Sequence, residues 1–205
     1  MSTNKPIIVF EGVEGTGKSL HIDNVANYLR KKGKKYIKIR EPGGNKNSEK
    51  IRNLILNNKS NFDKTTDLLL YLASRNENLT KVIKNNYKKK IILIDRFVDS
   101  TIAYQHYGMG LNINFINFVN RHLLKNIKIR FTFLHIADSN NIKKRLLKRK
   151  NLNRYDKFKL SFYKKVQNGY IKIASKNKKK YLLINSNLSI NSNKKTIIDK
   201  IKKVI

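Results

Sequence analysis

The chain has 205 residues and a mass of 24.0 kDa, enough for one well-filled core and short for two. It contains no cysteine, which excludes a disulfide framework and a thiolate metal site, and no apolar stretch is long enough for a signal h-region or a bilayer span, so a cytoplasmic protein is expected. The formal charge of +33 points toward polyanions, yet lysine runs through nearly every polar segment and comes with asparagine and isoleucine, the residues that A/T-rich codons favour; dispersed, solvated charge is the expectation, with no specific nucleic-acid or membrane partner.

In chain order, the apolar run Ile7 to Phe10 breaks into Gly12-Val13-Glu14-Gly15-Thr16-Gly17-Lys18-Ser19. This is the G-x-x-x-x-G-K-S spacing of a phosphate-binding loop, in which glycines let successive N–H groups point at one anion and the next helix adds its positive end. Lys18 is placed to neutralise the β- and γ-phosphates, and the Ser19 hydroxyl to reach a Mg²⁺ ion. Ile22, Val25, Ala26 and Leu29 then fall on one helical face, and Gly33 ends that helix. A second run, Tyr36 to Ile39, leads into Arg40-Glu41-Pro42-Gly43-Gly44, with Arg52 on the helix beyond. Tyr71 and Arg75 lie four apart on a helix; such a pair can stack on and hydrogen-bond a base, but taken alone it more often reads as packing plus a surface charge.

The third run, Ile91 to Ile94, ends at Asp95-Arg96. In a parallel sheet that position faces the same crevice as the phosphate loop, so Asp95 is a candidate for a Mg²⁺ water and Arg96 for bridging phosphates. Thr101, Tyr104 and Gln105 have i, i+3, i+4 spacing and are expected to line one wall of the crevice. The segment from Asn112 to Lys125 has more apolar residues than one buried stripe needs. Further strands are expected at Ile129 to Leu134 and Tyr181 to Ile184, and the asparagine-rich Asn185 to Asn193 reads as a loop before a short last helix. Apolar strands alternating with helical segments predict an α/β fold of the P-loop NTPase type: a five-stranded parallel sheet with helices on both faces, in a single domain over 1–205. His21, His106, His122 and His135 show no ligand-like clustering and read as packing or surface residues.

Phe10-Glu11-Gly12, Arg40-Glu41-Pro42-Gly43-Gly44, Tyr71-Leu72-Ala73-Ser74-Arg75, Asp95-Arg96-Phe97-Val98-Asp99-Ser100, Ala103-Tyr104-Gln105, Asn153-Arg154-Tyr155-Asp156 and Gly169-Tyr170 form an ordered set that resembles the thymidylate kinases. The resemblance implies ATP-dependent phosphorylation of dTMP to dTDP, feeding dTTP synthesis, with Mg²⁺ and in a homodimer. It implies that Tyr71 stacks on thymine, that Arg75 bonds its carbonyl edge, and that Thr101 and Gln105 complete the base pocket. Arg52 and Arg96 would clamp the dTMP phosphate, Glu14 and Tyr170 would approach the sugar, and Tyr104 would crowd a 2′-hydroxyl. The stretch from about 145 to 157 resembles the family's mobile lid, in which Arg149 and Arg154, supported by Arg145, would stabilise the transferring phosphoryl group, since the phosphate loop has no arginine of its own. Leu20, where the family usually has a second hydroxyl, and the Lys157-Phe158-Lys159 flank depart from the pattern. The residues alone leave open another nucleotide or nucleoside kinase of this fold, or a nucleic-acid-stimulated NTPase.

Overall fold

The computed structural model describes residues 4–148 and 152–205. Five strands, β1 (Ile7–Glu11), β2 (Tyr36–Arg40), β3 (Ile91–Asp95), β4 (Phe131–Ile136) and β5 (Tyr181–Asn185), form one parallel sheet in the order β2-β3-β1-β4-β5. β1 and β3 are apolar along nearly their whole length because helices cover both sides of the sheet. Alternation along β1 sends Ile8 and Phe10 into a cluster with Val25, Leu29, Ile197 and Ile201, and Ile7 and Val9 into the opposite one with Leu79, Ile83 and Ile94. The helices in chain order are α1 (Lys18–Lys31), α2 (Lys46–Leu56), α3 (Lys64–Asn78), α4 (Lys84–Asn86), α5 (Val98–Thr101), α6 (Ile113–Leu124), α7 (Ser139–Leu147), α8 (Leu160–Ser175) and α9 (Ile190–Val204).

The strand order decides where a ligand goes. The chain leaves β1 toward β2 on one side of the sheet and leaves β3 toward β4 on the other, so the loops after β1 and β3 diverge and open a crevice at the strands' carboxyl ends. A third apolar cluster closes this crevice, joining Val13 of the phosphate loop, Ile55 of α2, and Tyr163, Val166 and Tyr170 of α8. At Gly169 a β-carbon would come within 2.6 Å of the Tyr107 ring, so glycine lets α8 pack directly on the segment that carries Tyr104.

Two expectations are corrected and one is refined. β4 begins at Phe131 rather than Ile129; Ile129 packs against the apolar cluster beneath the sheet edge, which lengthens the hydrophobic run without joining the ladder. The last helix is not short, since α9 runs 15 residues from Ile190. Asparagines 191 and 193 lie inside it because Ser189 caps its start and Asn193 donates to the Asn185 carbonyl at 2.9 Å. Thr101, Tyr104 and Gln105 do share a wall, but from Ile102 to Gly108 the helix is of the wider π type, a distortion that recurs at functional sites.

Candidate active site

β1 brings the chain to the carboxyl edge at Glu11, and Gly12 turns there with φ 137°. A β-carbon at Gly12 would lie 2.3 Å from the His135 carbonyl oxygen of β4, so only glycine lets the loop leave between paired strands. Gly17 takes the N-cap of α1 with φ 82° and no side-chain cap, which leaves the first N–H groups of the helix for an anion. The Lys18 Nζ is buried and donates to the carbonyls of Gly12 at 2.9 Å and Val13 at 2.8 Å. Burial, followed by repulsion from Arg96, lowers Lys18 to about 8. An arriving triphosphate would raise it again, because a nearby negative charge favours the ammonium form. Behind the loop His21 and His135 stack at 5.4 Å, and burial holds His135 well below the usual imidazole range, so both pack as neutral rings.

Register brings Asp95 beside Phe10, and Ser19 Oγ donates to Asp95 Oδ2 at 3.0 Å. Asp95 Oδ1 is buried without a hydrogen-bond partner among the described residues. A hydroxyl and a carboxylate, with one oxygen unsatisfied, fit a hard cation that takes its other ligands from water and phosphate. Among the described residues no group of three His, Cys, Asp or Glu offers a caged metal site.

Arg96 is held in the left-handed region, φ 64°, a rare conformation for a side chain of its size. Its Nη2 donates to Glu14 Oε1 at 2.8 Å, its Nη1 to the Tyr170 hydroxyl at 3.2 Å, and its guanidinium lies 5.1 Å from the Tyr104 ring centre. Tyr104 donates its hydroxyl to Glu14 Oε2. Burial pushes the Glu14 carboxyl upward, but Arg96, Lys18 and the Tyr104 hydroxyl outweigh it and hold the group below the ordinary carboxylate range. Beneath this pair, Glu11 accepts from the Phe97 N–H at 2.7 Å, the Ser100 hydroxyl at 2.6 Å and the Tyr170 hydroxyl at 3.1 Å, and so pins the turn that presents Arg96. Asp99 accepts from the Tyr181 hydroxyl at 2.8 Å, and burial together with the Glu11 charge raises it to about 7.

These groups open into a cleft of ≈220 Å³ whose other wall carries Arg52, Tyr71, Arg75, Thr101 and Gln105. Arg75 donates from Nε to Glu41 at 2.8 Å, from Nη1 to Asn120 at 2.8 Å and from Nη2 to the Phe97 carbonyl at 2.9 Å. That leaves two of its five N–H donors for the cleft. Thr101 Oγ1 and Gln105 Nε2 are buried with no partner among the described residues. Unsatisfied polar atoms are costly in a protein interior, so their presence on a cleft wall marks where a polar ligand would bind. Arg52 is oriented by its 2.6 Å bond to the Pro42 carbonyl, and Tyr71 meets Tyr155 edge to face at 5.9 Å.

Comparison with known proteins gives the same reading. The thymidylate kinase family model matches residues 10–197. The chain is 39% identical over 186 residues to a thymidylate kinase of Thermosipho africanus, covering 90% of this chain and 92% of the relative. It is 37% identical over 203 residues to the thymidylate kinase of Mycoplasma capricolum, covering 95% of each. The chain belongs to the thymidylate kinase family. The crystal structure of thymidylate kinase from Ehrlichia chaffeensis superposes with a TM-score of 0.80 at 30% identity, covering 98% of this chain and 99% of that one.

Against this family frame, most of the predicted residues converge. Glu14, Lys18, Ser19, Arg52, Tyr71, Arg75, Asp95, Arg96, Thr101, Tyr104 and Gln105 line the cleft, and Tyr170 supports it from behind through Arg96. Arg145 bonds the phosphate loop itself, donating to the Gly15 carbonyl at 3.0 Å and to the Ser186 carbonyl at 2.7 Å. Arg149 lies outside the described residues. Arg154, expected beside the phosphoryl group, instead holds Asp67 of α3, with Nη2 at 2.5 and 2.7 Å from the two carboxylate oxygens. A guanidinium finds its lowest energy on a bidentate carboxylate, and Asp67 was not singled out in the sequence. Glu11, Asp99, Arg40, Glu41, Phe97, Ser100, Asn153 and Tyr155 were given no roles either, although all but Glu11 and Asp99 line the cleft. For Glu11, Arg40, Glu41 and Phe97 the signal was a position at or just beyond the carboxyl end of a strand, a cue no spacing rule isolates.

Proposed function

We propose that this chain, acting as one nucleoside monophosphate kinase domain, transfers the γ-phosphoryl group of ATP to dTMP. The observation that carries the reading is one cleft lined by Lys18, Arg96 and the unsatisfied Thr101 and Gln105 side chains. Phosphoryl transfer to an already anionic phosphate needs no general base, and its barrier falls mainly through alignment and charge stabilisation. The N-terminus of α1 and Lys18 receive the β- and γ-phosphates. Ser19 and Asp95 would hold Mg²⁺, which supplies charge neutralisation at the phosphates when bound. Arg96, pre-aimed by Glu14 and Tyr170, and Arg52 hold the acceptor phosphate between them. Tyr71 offers its ring, Arg75 its two remaining donors, and Thr101 and Gln105 their unsatisfied atoms to the thymine base. Arg145 closes the donor side, and Arg154 holds α3 through Asp67.

Phe115 and Phe118 of α6 are 43% and 64% exposed, an apolar face that supports the homodimer. Among the described residues no helix is long and apolar enough to cross a membrane, in keeping with the cytoplasmic placement proposed here. Purified protein with ATP and Mg²⁺ is expected to form ADP when given dTMP, and more slowly with dUMP, which lacks only the methyl group, worth about 1 to 3 kcal/mol in an apolar pocket. Absence of dTMP-dependent ADP formation would refute the assignment.

A further inference from the structure

The strands of a parallel sheet all begin at one edge, so residues just upstream of each strand are gathered side by side however far apart they lie in sequence. Here Lys5 precedes β1, Lys34 and Lys35 precede β2, and Lys89 precedes β3. Lys128 and Arg130 lead into β4 and Lys180 into β5. With the strands in one layer and about 4.8 Å apart, these cations form a row roughly 20 Å long. They line a cleft of ≈820 Å³ at the edge opposite the catalytic one.

Composition alone does not account for this row. Lysine and arginine make up 46 of the 205 residues, but seven of the fifteen that line this cleft, and no aspartate or glutamate is among them. All seven cations are exposed. None of them is in an ion pair among the described residues. Between them lies an apolar floor of Ile91, Ile129, Val204 and Tyr87, and the Tyr87 hydroxyl is fixed by accepting from the Lys128 N–H at 3.0 Å.

We propose that this edge binds single-stranded nucleic acid, with phosphates along the cation row and bases against Tyr87, Ile129 and Val204. Single-strand sites combine a positive groove that tracks the backbone with apolar or aromatic surface for unstacked bases. A compact anion needs converging donors rather than a line of them. A duplex hides its bases, and inorganic polyphosphate leaves the apolar floor in water.

The test is fluorescence anisotropy of the full chain with a labelled, mixed-sequence oligodeoxynucleotide of about ten nucleotides, titrated over a range of salt around 0.1 M. A Lys34→Gln/Lys89→Gln/Lys128→Gln/Arg130→Gln variant is compared with a Lys143→Gln/Lys164→Gln/Lys194→Gln/Lys195→Gln variant, which removes equal charge from other exposed positions. The cleft variant is expected to bind at least about tenfold more weakly, with a log–log salt slope smaller by about 2 to 3, and a Lys89→Gln/Arg130→Gln pair to lose about half that slope. The comparison variant is expected to lose less than about threefold, and both to keep dTMP-dependent ADP formation, which reports an intact fold. Equal losses in the two fourfold variants overturn the proposal, because diffuse charge then suffices. Displacement of the oligonucleotide by dTMP with ADP overturns it by moving the ligand to the catalytic cleft. Equal affinity for a duplex or for inorganic polyphosphate of matched charge overturns the single-strand assignment.

Discussion

At the carboxyl edge of the sheet Arg75 holds Glu41 and Arg96 holds Glu14, each at 2.8 Å and with every side chain less than a fifth exposed, whereas at the amino edge Lys34, Lys89, Lys128 and Arg130 stand in solvent without a carboxylate partner among the described residues. The two edges use positive charge for different ends. A cation that must meet one fixed group of a ligand is buried, at a desolvation cost, and its direction is fixed by an anion that returns part of that cost. A cation that meets a flexible polyanion works by number, stays hydrated and is weakened by salt. Substitutions at the paired edge should therefore act singly and steeply, and those at the unpaired edge additively and with little effect on turnover.

The largest expected effect is that of Arg96→Ala, which should lower kcat on the order of a thousandfold while leaving the KM for ATP nearly unchanged. Steady-state kinetics decide it, and near-normal turnover would remove Arg96 from the reaction. Glu14→Gln keeps the shape of the acceptor but not its charge. It should cost about 10- to 100-fold in kcat/KM for dTMP, the worth of one charged hydrogen bond of about 1.5 to 3 kcal/mol. If the loss appears in ATP binding instead, Glu14 serves the phosphate loop rather than Arg96.

Arg154→Ala and Asp67→Asn should each lower kcat by a similar amount, about tenfold, because both release the same lid anchor. A far deeper loss in Arg154→Ala alone would show the guanidinium leaving Asp67 for the phosphoryl group. The smallest effect concerns stability. Folding raises Asp99 from 3.8 to about 7, so between these values the folded chain holds a proton that the unfolded chain has released. Stability contributed by the neutral carboxyl is present at low pH and is lost as pH rises through that window. Asp99→Asn stays neutral, and urea unfolding at about pH 5 and about pH 6, inside that window, should show it lacking a decline on the order of 1 kcal/mol that the native chain undergoes. Parallel curves for the two proteins would mean that Asp99 is ionised throughout.

How much was legible varied with how local the physics is. The phosphate loop could be read because a turn with three positive-φ glycines leaves few alternatives at Gly12, Gly15 and Gly17. The strands could be read because a helix-covered parallel sheet demands uninterrupted apolar runs. Tyr71, Thr101 and Gln105 converge as expected, although the wall they share is partly a π-turn that no spacing rule announces. Arg154 was assigned to the phosphoryl group because a basic run gives no sign of which arginine will find a carboxylate 87 residues away.

The sequence by itself determined the anion cradle, the alternation of strands and helices, and the order of the family's motifs, since each depends on neighbours within a turn or two of backbone. Only the tertiary structure decided that Glu11 and Tyr170 stand behind Arg96, that Asp67 captures Arg154, and that lysines ahead of five separate strands become one row. The physical reason is strand order. Parallel pairing aligns the beginnings and ends of segments far apart in the chain, and so sets which charges become partners and which are left to face solvent.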